Sequence, residues 1–209
     1  TIRRMEDRAK SRTLLEAAET FARNRLSEGR YGHTLRVAGT AEDLARVHGL
    51  DPDRARLAAL VHDAAREIGE PEEFLRLARE WDLPVGEPER QSPKLLHGPV
   101  AAELARRELG VEDEEVLEAI RVHTVGGPGM GPLALVLYVA DKIEPARDYP
   151  SAGRLRALSR EDLRAAAAES LRRAIAHNEG RGRHPHPASR ETLAWLEAEH
   201  APQGRVDQE

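Results

Sequence analysis

The segment LAALVHDAAREIGE, residues 57–70, ends an Ala/Leu/Val run on the adjacent pair His62–Asp63. Other apolar runs end the same way: LLH on His97, AIRVH on His123 and LVLYVAD on Asp141. His33 opens a further segment, HTLRVAGTAEDLA. One such histidine reads as a core residue hydrogen-bonded to backbone. Repetition on separate segments reads differently. Burying an unpartnered polar group costs roughly 2–7 kcal/mol, and a charge costs more. A divalent cation removes that penalty by taking imidazole nitrogens and carboxylate oxygens as ligands. His33, His62, Asp63, His97, His123 and Asp141 are therefore the candidate metal ligands. The remaining histidines, His48, His177, His184, His186 and His200, stand in polar surroundings or near segment ends, and read as surface or capping residues.

Helices must position this set. The spacing predicts an amphipathic helix over 7–28, with Leu14, Leu15, Ala18, Phe21, Ala22 and Leu26 on one face, broken by Gly29 and Gly32. A second helix is expected over 33–48, closed by Gly49. A third opens with Asp51 as N-cap and Pro52 in its first turn, and runs to Gly69. PEEFLRLAREWDLP is a shorter helix between two prolines, and 85–93 reads as loop. Further helices are expected over 94–109, 112–123, 132–147, 160–179 and 189–199, with Gly110 ending the first and Ser189 capping the last. The run at 133–140 has the length of a buried strand as well, but its all-helical surroundings favour helix. VGGPGMGP, 125–132, is a glycine loop. The tail, 201–209, is expected to fray.

Composition agrees. Ala, Leu, Glu and Arg are good helix formers, so the fold class is all-α. Aromatics make up 3% of the 209 residues and hydrophobics 40%, so the core must be aliphatic. No linker divides the chain, and a single domain over 1–209 is expected, with its core over about 14–197. The 32 basic and 37 acidic residues are well mixed, with a formal charge of −5. That pattern is not the basic footprint of a nucleic-acid binder. The absence of cysteine excludes disulfides, thiolate ligation and cysteine catalysis. The longest apolar run is too short to span a bilayer. The first residues, TIRRMEDRAK, lack the apolar segment of a signal peptide, and the missing initiator Met reads as a trimmed start. The expected compartment is the cytoplasm, with no membrane partner. Aliphatic helix faces serve core and interface alike, so a homo-oligomer stays open.

The pattern H33…H62-D63…D141 resembles the HD-domain metal phosphohydrolases. The ordered blocks HTLRVAGTAEDLA, AALVHDAARE, KLLHGPVAAELA, AIRVHTVGGPGM, YVADKIEPARDYP and HPHPASRETLAWL resemble the YqeK family within them. Members of that family hydrolyse bis(5′-nucleosyl) tetraphosphates symmetrically. The resemblance implies a helical HD-domain bundle with a metal site at its centre. His33, His62, Asp63 and Asp141 would hold one metal, and His97 and His123 the second, with Asp63 bridging. Two divalent ions are implied, iron first, with manganese, cobalt, magnesium or zinc as substitutes. Asp63, Arg66 and His97 are expected to act in catalysis.

Arg66, Thr124, Lys142 and Arg147 are expected to contact the substrate phosphates. Each has a plainer reading beside that one: an ion pair for Arg66, Lys142 and Arg147, or a turn cap for Thr124. Arg36 is a candidate for a supporting role, and Met130 for covering a base or filling a gap. Relatives carry a second Thr and a larger polar residue where this chain has Val125 and Gly127. The implied reaction gives two nucleoside diphosphates, ADP from diadenosine tetraphosphate. Two other readings stay open. One is an HD-type hydrolase of another nucleotide, such as a nucleoside monophosphate or a guanosine polyphosphate. The other is a nucleotide-binding module without turnover.

Overall fold

The computed structural model describes residues 2–198, with side chains from Ala9 onward. Among them are helices only: α1 (Ile2–Arg25), α2 (Glu28–Val47), α3 (Pro52–Val61), α4 (Pro71–Glu80), α5 (Glu87–Gln91), a 3-10 turn (Pro93–Leu96), α6 (His97–Leu109), α7 (Glu114–Val122), α8 (Pro132–Ile143), α9 (Ala152–Glu161), α10 (Leu163–Glu179) and α11 (Pro187–Ala198). No helix of the described residues is long and apolar enough to cross a membrane. The expected frayed tail and His200 lie outside the described residues.

α8 is the axis of the bundle. Its run Leu133 to Asp141 is buried throughout, and it packs against α2, α3, α7, α9 and α10. A helix apolar all round must be surrounded by others. α3 packs against α1, α2, α6, α7 and α8, and its buried Ala55, Ala58 and Ala59 admit neighbours closely. α2 turns one stripe inward, with Val37, Ala41 and Leu44 buried below His33. The metal-ligand candidates lie where α2, α3, α6, α7 and α8 converge.

Several boundaries differ from those expected. Gly29 and Gly32 do not break a helix; both lie inside the start of α2. The break falls at residues 26–27 instead. There the Ser27 amide and hydroxyl both donate to the Glu67 carboxylate, at 2.7 and 2.9 Å. α3 ends at Val61, not Gly69. Beyond it the chain runs in tight turns, with the Ala64 amide donating to the Val61 carbonyl and the Arg66 amide to that of Asp63. Residues 85–93 hold the short helix α5, whose first turn is closed by the Glu89 side chain accepting from the Gly86 amide. α8 ends at Ile143 rather than 147, just before Pro145, which cannot supply an N–H to the ladder. The helix expected over 160–179 is α10, and a further helix, α9, precedes it over residues mostly left unassigned. α9 ends at Glu161, and Asp162 caps α10 by accepting from the Ala165 amide. Ser189 does not cap α11, which starts at Pro187. Its hydroxyl donates to the Val125 carbonyl and ties α11 to the glycine loop.

Candidate active site

Three of the four clustered histidines sit where a helical segment begins or ends. The final carbonyls of a helix lack intrahelical partners. His62 follows α3 and donates Nδ1–H to the Ala59 carbonyl at 2.6 Å. His123 follows α7 and donates to Ile120 at 2.7 Å. His97 follows the 3-10 turn and donates to Lys94 at 2.7 Å. Each ring thus satisfies a carbonyl three residues earlier. His33, inside α2, donates Nδ1–H to Glu144 Oε1 at 3.1 Å. An imidazole that donates from Nδ1 carries its lone pair on Nε2. All four Nε2 atoms face the centre.

They face carboxylates that also lack protons. His33 Nε2 lies 3.0 Å from Asp141 Oδ1, and His62 Nε2 lies 3.5 Å from Asp63 Oδ2. His97 and His123 Nε2 lie 3.3 and 3.7 Å from Asp63 Oδ1. The two oxygens of Asp63 therefore point to different histidines. The Asp63 carboxyl is held far below the carboxylate range against the effect of burial. Burial likewise raises Asp141, and the Lys142 ammonium beside it more than offsets it. Burial pushes His123 down to about 4, so that ring is neutral near pH 7. His33 and His62 Nε2 are buried without a hydrogen-bond partner. Lone pairs aimed at ionised oxygens need a cation between them. The donor set of nitrogen and oxygen, without sulfur, suits a divalent metal.

Ligand atoms of His33, His62 and Asp141 lie within 4.8 Å of one another, and so do those of His62, Asp63 and His123. The second group contains His62 where His97 is expected. His97 is nevertheless close, with its Nε2 3.0 Å from that of His123. A residue without a side chain permits that approach. A Cβ on Gly98 would stand 2.8 Å from the Arg121 carbonyl oxygen.

The expected phosphate contacts surround the cluster. Lys142 Nζ pairs with Asp141 Oδ2 at 2.5 Å, and an Arg147 terminal nitrogen pairs with Asp141 Oδ1 at 3.1 Å. Arg66 reaches His97 Nδ1 at 3.2 Å. That nitrogen already donates to Lys94, so the arginine lies against the ring without a shared proton. Arg66 stands in the turns after α3, not one helical turn beyond His62. Thr124 Oγ1 lies 3.2 Å from His97 Nε2 and 3.3 Å from His123 Nε2, facing the cluster. Met130 is buried, and Arg36 Nε donates to Glu144 at 2.8 Å. Among the other histidines, His48 contacts the Ser159 carbonyl and His186 pairs with Glu89, both away from the cluster.

Two residues at the site escaped the sequence reading as site residues. Arg30, one turn before His33 on α2, pairs with Asp63 Oδ2 at 3.1 Å. Glu144 is 2% exposed and accepts the hydrogen bond from His33 Nδ1–H. The signal for Arg30 was its spacing of three from His33. Glu144 sits between Lys142 and Arg147 in DKIEPAR, where the nearby charges made it look like a surface partner.

The HD domain model matches residues 30–146, more than half of the chain. The symmetrical bis(5′-nucleosyl)-tetraphosphatase of Bacillus subtilis is 39% identical over 181 residues, covering 87% of this chain and 96% of that one. The protein of the same name from Halalkalibacterium halodurans is 41% identical over 150 residues, covering 70% and 77%. A crystal structure titled as a predicted HD superfamily hydrolase involved in NAD metabolism, from Clostridium acetobutylicum, superposes with a TM-score of 0.85 at 33% identity. That superposition covers 88% of this chain and 97% of the other. With its histidine–aspartate cluster at the junction of five helices, the chain belongs to the HD-domain family, in the branch of the symmetrical bis(5′-nucleosyl)-tetraphosphatases.

Proposed function

We propose that this protein hydrolyses bis(5′-nucleosyl) tetraphosphates, diadenosine tetraphosphate among them, to two nucleoside diphosphates. The observation that carries the reading is the converging set of Nε2 lone pairs around Asp63, on a chain that matches the Bacillus subtilis symmetrical tetraphosphatase over 96% of its length. His33, His62, Asp63 and Asp141 would hold one divalent ion, and His97 and His123 the other, with Asp63 shared. Iron is the first choice, on the resemblance to HD-domain phosphohydrolases. Manganese, cobalt, magnesium and zinc suit the same nitrogen–oxygen donors. A pair of such ions supplies a nucleophile from water near neutral pH and draws charge from a phosphoryl oxygen.

The chain's own residues do the rest. Attack on one inner phosphorus breaks its bond to the oxygen bridging the two inner phosphates. Charge grows on the phosphoryl oxygens and on the departing diphosphate. Arg66, Lys142 and Arg147 are the cations placed to meet it, and Thr124 offers a hydroxyl beside them. Asp63 presents one oxygen to each half of the cluster and would be shared by both ions, which makes it the residue the reaction can least lose. His97 is the ring nearest Arg66, and the two would act together at the reacting phosphate. The proposed compartment is the cytoplasm.

The test is to purify the protein without chelator, count its metals, and resolve the products of diadenosine tetraphosphate. ADP as sole product, with about two metals per chain, is expected. AMP with ATP would overturn the cleavage position. Intact substrate beside bound metal would overturn the substrate.

A further inference from the structure

Of the four clustered histidines, His33 alone has a carboxylate behind it. His62, His97 and His123 give their Nδ1–H to neutral carbonyls. His33 gives its own to the buried carboxylate of Glu144. That carboxylate has further donors. Arg36 Nε reaches Oε2 at 2.8 Å and the Ala146 amide reaches it at 2.7 Å. Three donors, one of them a guanidinium, thus converge on its two oxygens and leave Glu144 acting as an acceptor throughout. A carboxylate behind an imidazole fixes its tautomer and makes its far nitrogen a stronger donor to a metal. A carbonyl fixes the tautomer with less charge.

The fold holds Glu144 with unusual care. α8 ends one residue before it, leaving carbonyls without helical partners. Arg156, from α9, collects them. Its guanidinium donates to the carbonyls of Ile143 at 2.8 Å, Glu144 at 3.0 Å and Arg147 at 2.7 Å. The planar fork of arginine meets three acceptors at once, which the point charge of lysine does not. The turn from 143 to 147 is thereby fixed, with Glu144 on its inner side and Arg147 at the site.

We infer that Glu144 is a positioning residue for His33, and that it selectively strengthens the metal site of His33, His62 and Asp141 over the site of His97 and His123. The inference rests on the metal reading proposed above. Arg156 belongs to the same device, one step further out.

The test compares the wild type with Glu144→Gln, Glu144→Ala and Arg156→Lys. Glutamine keeps the acceptor oxygen and loses the charge. Each chelator-stripped protein is titrated with manganese(II) by calorimetry, and its histidine tautomers are read by 15N NMR before metal is added. The wild type should bind in two steps. Glu144→Gln should weaken one step about 10–100-fold and leave the other unchanged. Arg156→Lys should do the same to a smaller degree. The His33 Nδ1–H tautomer should persist in Glu144→Gln and be lost in Glu144→Ala. Equal weakening of both steps, or of neither, in both the glutamine and the lysine variants would overturn the selectivity. An unchanged His33 tautomer in Glu144→Ala would overturn the positioning role, with or without metal. A wild type that takes up no manganese would overturn the metal reading itself, a separate outcome.

Discussion

Gly98 and His123 meet across two helices: a Cβ on Gly98 would stand 3.3 Å from His123 Nδ1. It would stand closer still, 2.8 Å, to the Arg121 carbonyl oxygen. The obstacle is backbone and cannot swing aside. The start of α6 and the end of α7 can touch because residue 98 has no side chain. Gly98→Ala should therefore separate His97 from His123. Helix propensity favours alanine by roughly 0.5–1 kcal/mol. Overpacking costs about 1–3 kcal/mol and should win. The expected outcome is a lower melting temperature and a metal content falling from about two to about one per chain. Thermal melts and metal analysis check it, and a stable, fully loaded variant would refute it.

Asp63→Asn tests the shared carboxylate. Its two oxygens face different histidines, and asparagine offers one neutral acceptor in their place. Changes behind a metal ligand cost about 10–100-fold, and a change to the ligand itself should cost more. Single-turnover hydrolysis and metal content should fall together, with the helical signal retained. Activity near wild type would remove Asp63 from the mechanism.

These residues were legible because their polarity contradicts their surroundings. His62, His97 and His123 each close an apolar run, and each does so to reach a carbonyl left over at a helical end. The sequence carries that conflict openly. It carried the bundle equally well, since the helical periods around the apolar run at 133–140 decided that one ambiguous segment as helix, which is α8. Glu144 and Arg156 were hidden because both work through backbone geometry after α8, where periodicity has ended. α9 was missed, and only its last two residues were given to the next helix, because the one-residue break at Asp162 leaves no glycine or proline as a mark. Gly29 and Gly32 misled for the opposite reason. The entry to α2 is fixed by a carboxylate forty residues away, Glu67, which no local rule detects.

The cations at the site should act on substrate rather than on fold. Arg66→Gln removes a fixed charge beside His97, and Arg147→Gln removes one beside Asp141. Loss of a hydrogen bond to a charged group costs about 1.5–3 kcal/mol, roughly a 10–150-fold loss in kcat/KM. Arg66→Lys should recover part of it, because lysine keeps the charge and loses the fork. Arg30→Gln should behave alike if its pairing with Asp63 yields to substrate. Steady-state kinetics decide this, and unchanged kcat/KM in all three Gln variants would place the phosphates elsewhere.

Stability at low pH should depend on Asp113. It caps α7 by accepting from the Glu115 and Val116 amides, and it pairs bidentately with Arg54 from α3 at 2.7 Å. The Arg54 bonds hold its carboxyl below the ordinary value against the effect of burial. A carboxyl depressed in the folded state stabilises above its unfolded pKa of about 3.9, and that contribution fades as pH falls through the folded value. The side chain is 37% exposed, so the ion pair adds little, about 0–1 kcal/mol after screening. The cap adds about 0.5–2 kcal/mol. Asp113→Ala should be less stable than wild type by that sum near pH 7. In urea melts the gap should narrow below pH 4, and a gap independent of pH would refute the pairing.

Removing the metals should destabilise the whole bundle. His33, His62, His97 and His123 are fixed with their Nε2 lone pairs inward, and Asp63 and Asp141 are held ionised among them. Five helices supply these groups, so repulsion at the centre opposes packing everywhere. A ligand bound only by the folded state, at a hundred times its Kd, adds about 2.7 kcal/mol. For a chain of this length each kcal/mol moves Tm by about 2–4 °C, so stripping one such ion should lower Tm by roughly 5–11 °C. Adding back manganese or iron(II) should restore it. Zinc should restore it too, because the donors do not discriminate strongly. Calorimetry before and after chelation measures the difference. An equal Tm would mean that the cluster is satisfied by its own hydrogen bonds, and the case for a metal at Asp63 would fall with it.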